Sequence, residues 1–162
     1  MIVQSTISDL SELDLGHLAL FLGLRVNELV VTRMKRRGFK NVRESHGYLI
    51  QHLIEGERSI TDLARRMEIS QQAASKSVAE LVRLGVLEES PGKDRRAKRI
   101  RLSARGSNAV HSSRKIRVGI HKNLCAAVGE QDVTRAKRTL IACLDQLGGT
   151  GRIKGRRLRQ PL

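Results

Sequence analysis

Apolar residues recur at helical spacing through most of the chain, and the pattern breaks in one central stretch. Between positions 10 and 35, Leu13, Leu20, Leu24 and Val31 form one stripe, which Leu18, Phe21, Leu22 and Leu29 widen well past a normal amphipathic face. The spacing predicts one helix that needs cover from more than one side, and in so small a chain a second subunit is a natural source of that cover. Gly38, after the basic run Lys35-Arg36-Arg37, supplies the stop. A second helix is predicted over 43–54 from Leu49, Ile50, Leu53 and Ile54, ended by Gly56, and a short extended stretch over 57–60. Thr61 is then read as the cap of a brief helix over 62–67, with Asp62 in its first turn where the helix dipole favours an acid. Ser70 is read as the cap of a longer helix over 71–84, terminated by Gly85.

After Gly85 the period changes from helical to alternating. Residues 86–90 and 97–102 read as strands, the second with Ile100 and Leu102 on one face and Arg99 and Arg101 on the other. Pro91-Gly92 opens the loop between them, giving a hairpin with a basic tip. A long helix begins at Ser103 and runs to about 128, with Ala109, Ile116, Ile120, Leu124 and Ala127 as its buried side. A last helix over 131–147 carries Val133, Ala136, Leu140, Leu144 and Leu147 at helical spacing. From Gly148 onward glycines and bases alternate with little apolar content, which predicts a disordered basic tail over 148–162.

The short helix, a tight turn through Glu68-Ile69-Ser70 and the capped helix make a helix-turn-helix. In such a motif the N-terminal residues of the second helix enter the major groove. Here Gln71, Gln72, Ser75 and Lys76 are the candidates: Gln pairs with adenine through both amide groups, Lys reaches guanine acceptors, and Ser tolerates either. Ala74, Val78, Leu81 and Val82 form the opposite, inward face.

Charge strengthens this reading. Thirty-one Lys and Arg against sixteen Asp and Glu give a net charge of +15 over 162 residues, an excess that attracts polyanions. It is segregated: the first thirty residues are acidic, whereas the bases from 91 to 122 are opposed by Asp94 alone. The hairpin tip holds Lys93, Arg95, Arg96 and Lys98, the composition of a loop drawn to the negative minor groove. Asp94 is read as the acid that holds a neighbouring Arg in position.

Three segments now carry a family resemblance: Ile60-Thr61-Asp62-Leu63-Ala64, the Ser70-capped helix ending Leu81-Val82-Arg83-Leu84-Gly85, and Asp94-Arg95-Arg96-Ala97-Lys98-Arg99-Ile100-Arg101-Leu102-Ser103 followed by Gly106. Together they resemble the MarR regulators, and the hairpin is especially similar to the SlyA branch. The resemblance implies a mainly α, winged helix-turn-helix fold. It assigns 41–103 to a DNA-binding lobe, and 1–40 with 104–147 to a helical dimerisation region built from both termini. It implies a homodimer on a pseudo-palindromic operator in double-stranded DNA, with Arg96 as the minor-groove arginine, Asp94 as wing support, and a small-molecule effector in a cleft bordered by Phe21, His46 and Leu49.

Other classes fare worse. Cys125 and Cys143 lie in the last two helices without metal-ligand spacing and read as reduced core cysteines, so redox sensing has no support. Glu44, His46 and His111 lack the further histidine a zinc sensor needs, and no cofactor is expected. No nucleophile motif or phosphate loop points to an enzyme, and the scarcity of aromatic residues disfavours RNA. The apolar run 17–24 is short for a bilayer and the N-terminus lacks a basic leader region, so a cytoplasmic protein is expected. The competing reading is a sequence-tolerant architectural protein that coats or bends DNA.

Overall fold

The computed structural model describes residues 9–91 and 98–154. A 3-10 turn, Leu10–Glu12, precedes α1 (Leu15–Arg36), α2 (Glu44–Leu53), α3 (Ile60–Met67) and α4 (Gln71–Arg83). Two strands follow, β1 (Leu87–Ser90) and β2 (Arg99–Leu102), then α5 (Ala104–Val128), α6 (Glu130–Gln146) and α7 (Thr150–Lys154). The architecture is the expected one, mainly α with one small hairpin. The residues from Gly92 to Ala97, which carry Lys93, Asp94, Arg95 and Arg96, lie outside the described residues.

Side-chain caps set most helix starts. The Asp14 carboxylate accepts the His17 amide at 3.0 Å, and Ser70 Oγ accepts the Ala73 amide at 3.1 Å. The third helix starts earlier than its sequence predicts. Ser59, not Thr61, is its cap, with Oγ accepting the Asp62 amide at 3.1 Å, so Thr61 sits inside the first turn. The turn into α4 is closed by Glu68 at φ 54 and by the Ile69 amide bonding the Ala64 carbonyl at 3.1 Å. Gly38 and Gly85 take φ of 88 and 68 just past α1 and α4, a left-handed stop that other residues adopt at a cost.

β1 and β2 pair antiparallel from Leu87 opposite Leu102 to Ser90 opposite Arg99. The extended stretch expected near 57–60 contributes one residue to this sheet: Arg58 exchanges two backbone hydrogen bonds with Ile100, at 2.9 and 2.8 Å. Two cores result. Leu49, Leu53, Leu63, Val78, Leu81, Val86 and Ile100 fill the lobe formed by α2, α3, α4 and the hairpin. Val30 and Met34 of α1 meet Phe39 and Ala109, Ile116 and Ile120 of α5 in the second, and Val42 touches both. The Arg105 guanidinium lies 5.1 Å above the Phe39 ring and donates to the Gly38 carbonyl at 2.8 Å, pinning the start of α5 to the α1–α2 turn.

Some apolar positions are left exposed among the described residues. Leu15, Leu18, Leu20, Phe21, Leu22 and Leu24 of α1 are exposed, as are Leu124 on α5 and Leu144 and Leu147 in and after α6. Leu124 and Ala127, read as buried from the sequence, are therefore exposed in the single chain. Cys125 and Cys143 are half-buried free thiols rather than core residues. The basic tail is not irregular at its start, since Thr150–Lys154 is helical.

Candidate nucleic-acid interface

The second helix of the helix-turn-helix has two distinct sides. Ala74, Val78 and Leu81 are buried in the lobe. Gln71, Gln72, Ser75 and Lys76 are all exposed and line one shallow concavity on the outer face, together with Ala79. Ala79 escaped the sequence reading because its type carries no polar signal, although it lies one helical turn beyond Ser75 and Lys76. A methyl group there offers an apolar contact of the kind a thymine methyl accepts.

The hairpin stem is less positive than its base count implies. Lys98 pairs with Glu89 at 2.8 Å, Arg101 with Glu88 at 2.8 Å, and Arg99 stands 3.8 Å from Glu57. The antiparallel register sets Glu88 of β1 directly opposite Arg101 of β2. Lys98 is exposed, and such surface pairs hold by about 0–1 kcal/mol, so it remains available to a phosphate at little cost.

The cleft residues separate. Phe21 is exposed on the N-terminal half of α1, whereas His46 and Leu49 are buried, Leu49 in the lobe core. A cavity of about 170 Å³ does lie between α1, α2 and α5, but it is lined from α2 by Gly47, Ile50, Gln51 and Ile54. His46 and Leu49 do not line it.

His46 makes contacts that its sequence position did not announce. It is 3% exposed, its Nδ1 accepts the Arg43 amide at 3.2 Å, and its Nε2 faces Glu80 Oε2 of α4 at 3.4 Å without hydrogen-bond alignment. The Arg43 guanidinium pairs with the same Glu80 oxygen. Burial pushes the imidazole below its ordinary value, and the Glu80 carboxylate opposes that only in part. Burial alone would raise the Glu80 carboxyl, but Arg43 and His46 outweigh it and hold the group below the usual range.

Residues 42–97 match the MarR family model. The described residues fold as a winged helix-turn-helix of the MarR type, with α4 as its second helix. The MarR-type fold extends beyond the matched residues. YusO from Bacillus subtilis is 20% identical over 82% of this chain and 91% of its own, with a TM-score of 0.64. MepR, a transcription regulator of the Staphylococcus aureus multidrug efflux pump MepA, is 15% identical over 83% of this chain and 99% of its own, at 0.67. A MepR variant solved bound to an oligodeoxyribonucleotide is 18% identical over 84% of this chain and 99% of its own, at 0.59. No curated protein sequence matches the chain significantly.

Proposed function

We propose that this chain is a homodimeric, site-specific regulator that binds a pseudo-palindromic operator in double-stranded DNA and acts in the cytoplasm. The reading is carried by α4, a helix with an apolar side sealed into a MarR-type lobe and a side of Gln, Gln, Ser and Lys left open. Gln71, Gln72, Ser75 and Lys76 read base edges in the major groove, and Arg96 enters the minor groove beside it, with Lys93, Arg95 and Lys98 on phosphates and Asp94 supporting the wing. The oligodeoxyribonucleotide-bound state of one structural relative supports DNA as the partner. A small effector entering the cavity between α1, α2 and α5 fits the same scheme, because that cavity lies where the lobe joins the two outer helices.

Dimerisation accounts for the exposed leucines of α1 and α6. Over an 18-residue window α1 has a mean hydropathy of 1.3, which by length and composition also suits a membrane span. Arg25 and Glu28 stand at mid-helix, where each charge costs about 2.5–3.5 kcal/mol in hydrocarbon. The second half of α1 is moreover already packed on α5 through Val30 and Met34. A partner chain is the better cover.

One observation favours the architectural reading: α5 holds Arg105, Arg114, Lys115, Arg117 and Lys122 and no acid. A nuclease footprint on long duplexes separates the two. Discrete protected sites support operator binding; continuous protection supports coating.

Base reading and phosphate contact also differ in their mutants. Gln72→Ala and Lys76→Ala are expected to change preference at one base position each by about 1–3 kcal/mol, measured by competition between operator variants. If both weaken all sequences equally, these side chains touch phosphate instead. Arg96→Ala is expected to weaken binding and reduce the salt slope of log K by about 1 while leaving the dimer intact; unchanged binding would remove the wing from the mechanism.

A further inference from the structure

The Arg43–His46–Glu80 cluster joins α2 to the recognition helix at a point that no base contact explains. His46 occupies the third position of α2 and bridges two elements. Its Nδ1 accepts the Arg43 amide at 3.2 Å, one of the amides left without a partner at a helix start. An acceptor at Nδ1 places the ring proton on Nε2, the nitrogen that faces Glu80 Oε2 at 3.4 Å. Glu80 lies four residues after Lys76, one turn along α4. The neutral imidazole is thus the form that this arrangement accommodates.

Protonation conflicts with it in two ways. A second ring proton on Nδ1 would point at the Arg43 N–H, donor against donor, and the helix-start hydrogen bond would be lost. The new charge would also sit in a buried position beside the Arg43 guanidinium, with both cations sharing one carboxylate oxygen. Of α3, β2 and α4, which pack against α2, α4 presents Glu80 to the ring; Arg43 at the start of α2 is the other charged group that acts on it.

We propose that His46 is a positioning residue for the recognition helix: as a neutral imidazole it holds the Arg43 amide at the start of α2 with its Nε2 set against Glu80 on α4, and its protonation breaks the Arg43 hydrogen bond, shifts the Arg43–His46–Glu80 cluster and weakens DNA binding. The proposal rests on the reading of α4 as the DNA-contacting helix. Geometry and titration agree in sign. An imidazole held below its ordinary value of 6.5 binds its proton more readily in the unfolded chain. Its contribution to stability is therefore complete above that value, declines as pH falls below it, and stops declining once the folded-state group is itself protonated.

The test compares the full-length wild type with His46→Gln and His46→Leu, each binding an operator duplex at constant ionic strength from pH 7.5 to 5. Gln accepts the Arg43 amide and donates toward Glu80 but does not titrate. The wild type is expected to lose affinity on the order of tenfold across the range, the equivalent of one pH unit of differential protonation. His46→Gln is expected to match wild type at pH 7.5 and stay nearly flat. His46→Leu, which neither accepts the Arg43 amide nor presents a polar group to Glu80, is expected to be weak at every pH. Parallel wild-type and His46→Gln profiles would overturn the proposal. A second measurement needs no DNA: the His46 ring titration followed by NMR, with amide exchange along α4 in the same samples. Faster exchange in α4 tracking the His46 midpoint supports the proposal, and exchange that ignores that midpoint contradicts it. A wild-type chain that binds no duplex at any pH refutes the DNA reading, while the exchange data still decide the positioning role.

Discussion

A Leu20→Glu/Leu24→Glu variant is expected to be monomeric and to lose operator affinity by about 10²–10⁴-fold, because binding the second half-site stops being intramolecular once the two lobes separate. Both side chains are about half exposed in the single chain, at 48% each, and stand four residues apart on one side of α1. Neither belongs to either core, so the lobe should keep its fold and its weak affinity for a single half-site. Two carboxylates at a shared apolar contact would be buried without partners, a cost that no rearrangement of the rim removes. Sedimentation or light scattering gives the oligomeric state, and titration of whole and half operators gives the affinities. A variant that remains dimeric would move the subunit contact away from this end of α1.

The second large effect concerns stability. Gly106 lies in the first turn of α5, and a Cβ built there would come within 2.1 Å of the Val86 carbonyl oxygen. That oxygen cannot retreat easily, since it already accepts the Ser103 amide at 3.1 Å and lies 3.0 Å from the Ser103 hydroxyl. Two terms compete in Gly106→Ala. Helix propensity favours Ala by about 1 kcal/mol. Forcing a methyl into a packed contact costs typically about 1–3 kcal/mol, and a backbone clash this close belongs at the upper end. The net expectation is a loss, seen as a lower melting temperature and urea midpoint. Gly47→Ala is the matched comparison: nothing lies within 4 Å of its added Cβ, and it sits inside α2. That substitution should raise stability. A Gly106→Ala protein as stable as wild type would mean that α5 does not pack on the hairpin as described.

Periodicity and hydroxyl caps made most of the architecture legible. Ser70 and Ser103 stand before helices that begin where the residues indicate, because one hydroxyl before an apolar repeat has few other uses. Where two hydroxyls compete, as at Ser59 and Thr61, the pattern could not choose, and the chain uses the earlier one. The Ser103-to-Gly106 spacing was recognisable as a motif, yet its cause, a carbonyl from a residue twenty positions upstream, exists only in three dimensions.

Side-chain pairings were less readable for the same reason. Lys98 and Arg101 look free along the chain and meet Glu89 and Glu88 only because the two strands pair. Family resemblance set His46 at a ligand cleft, whereas Arg43 and His46 in fact meet Glu80, more than thirty residues further on. A charge that pairs at such distance leaves no local signature. The outer face of α4 was the opposite case, since an apolar side at helical spacing dictates which residues are left facing out.

Selection of bound duplexes from a random-sequence pool, using the purified chain at moderate salt, tests the central claim most directly. Two copies each inserting α4 into the major groove should enrich a motif with two-fold symmetry and half-sites about one helical turn, roughly 10 bp, apart. Recovery of no enriched sequence, or of an asymmetric single site bound by one chain, would contradict the account.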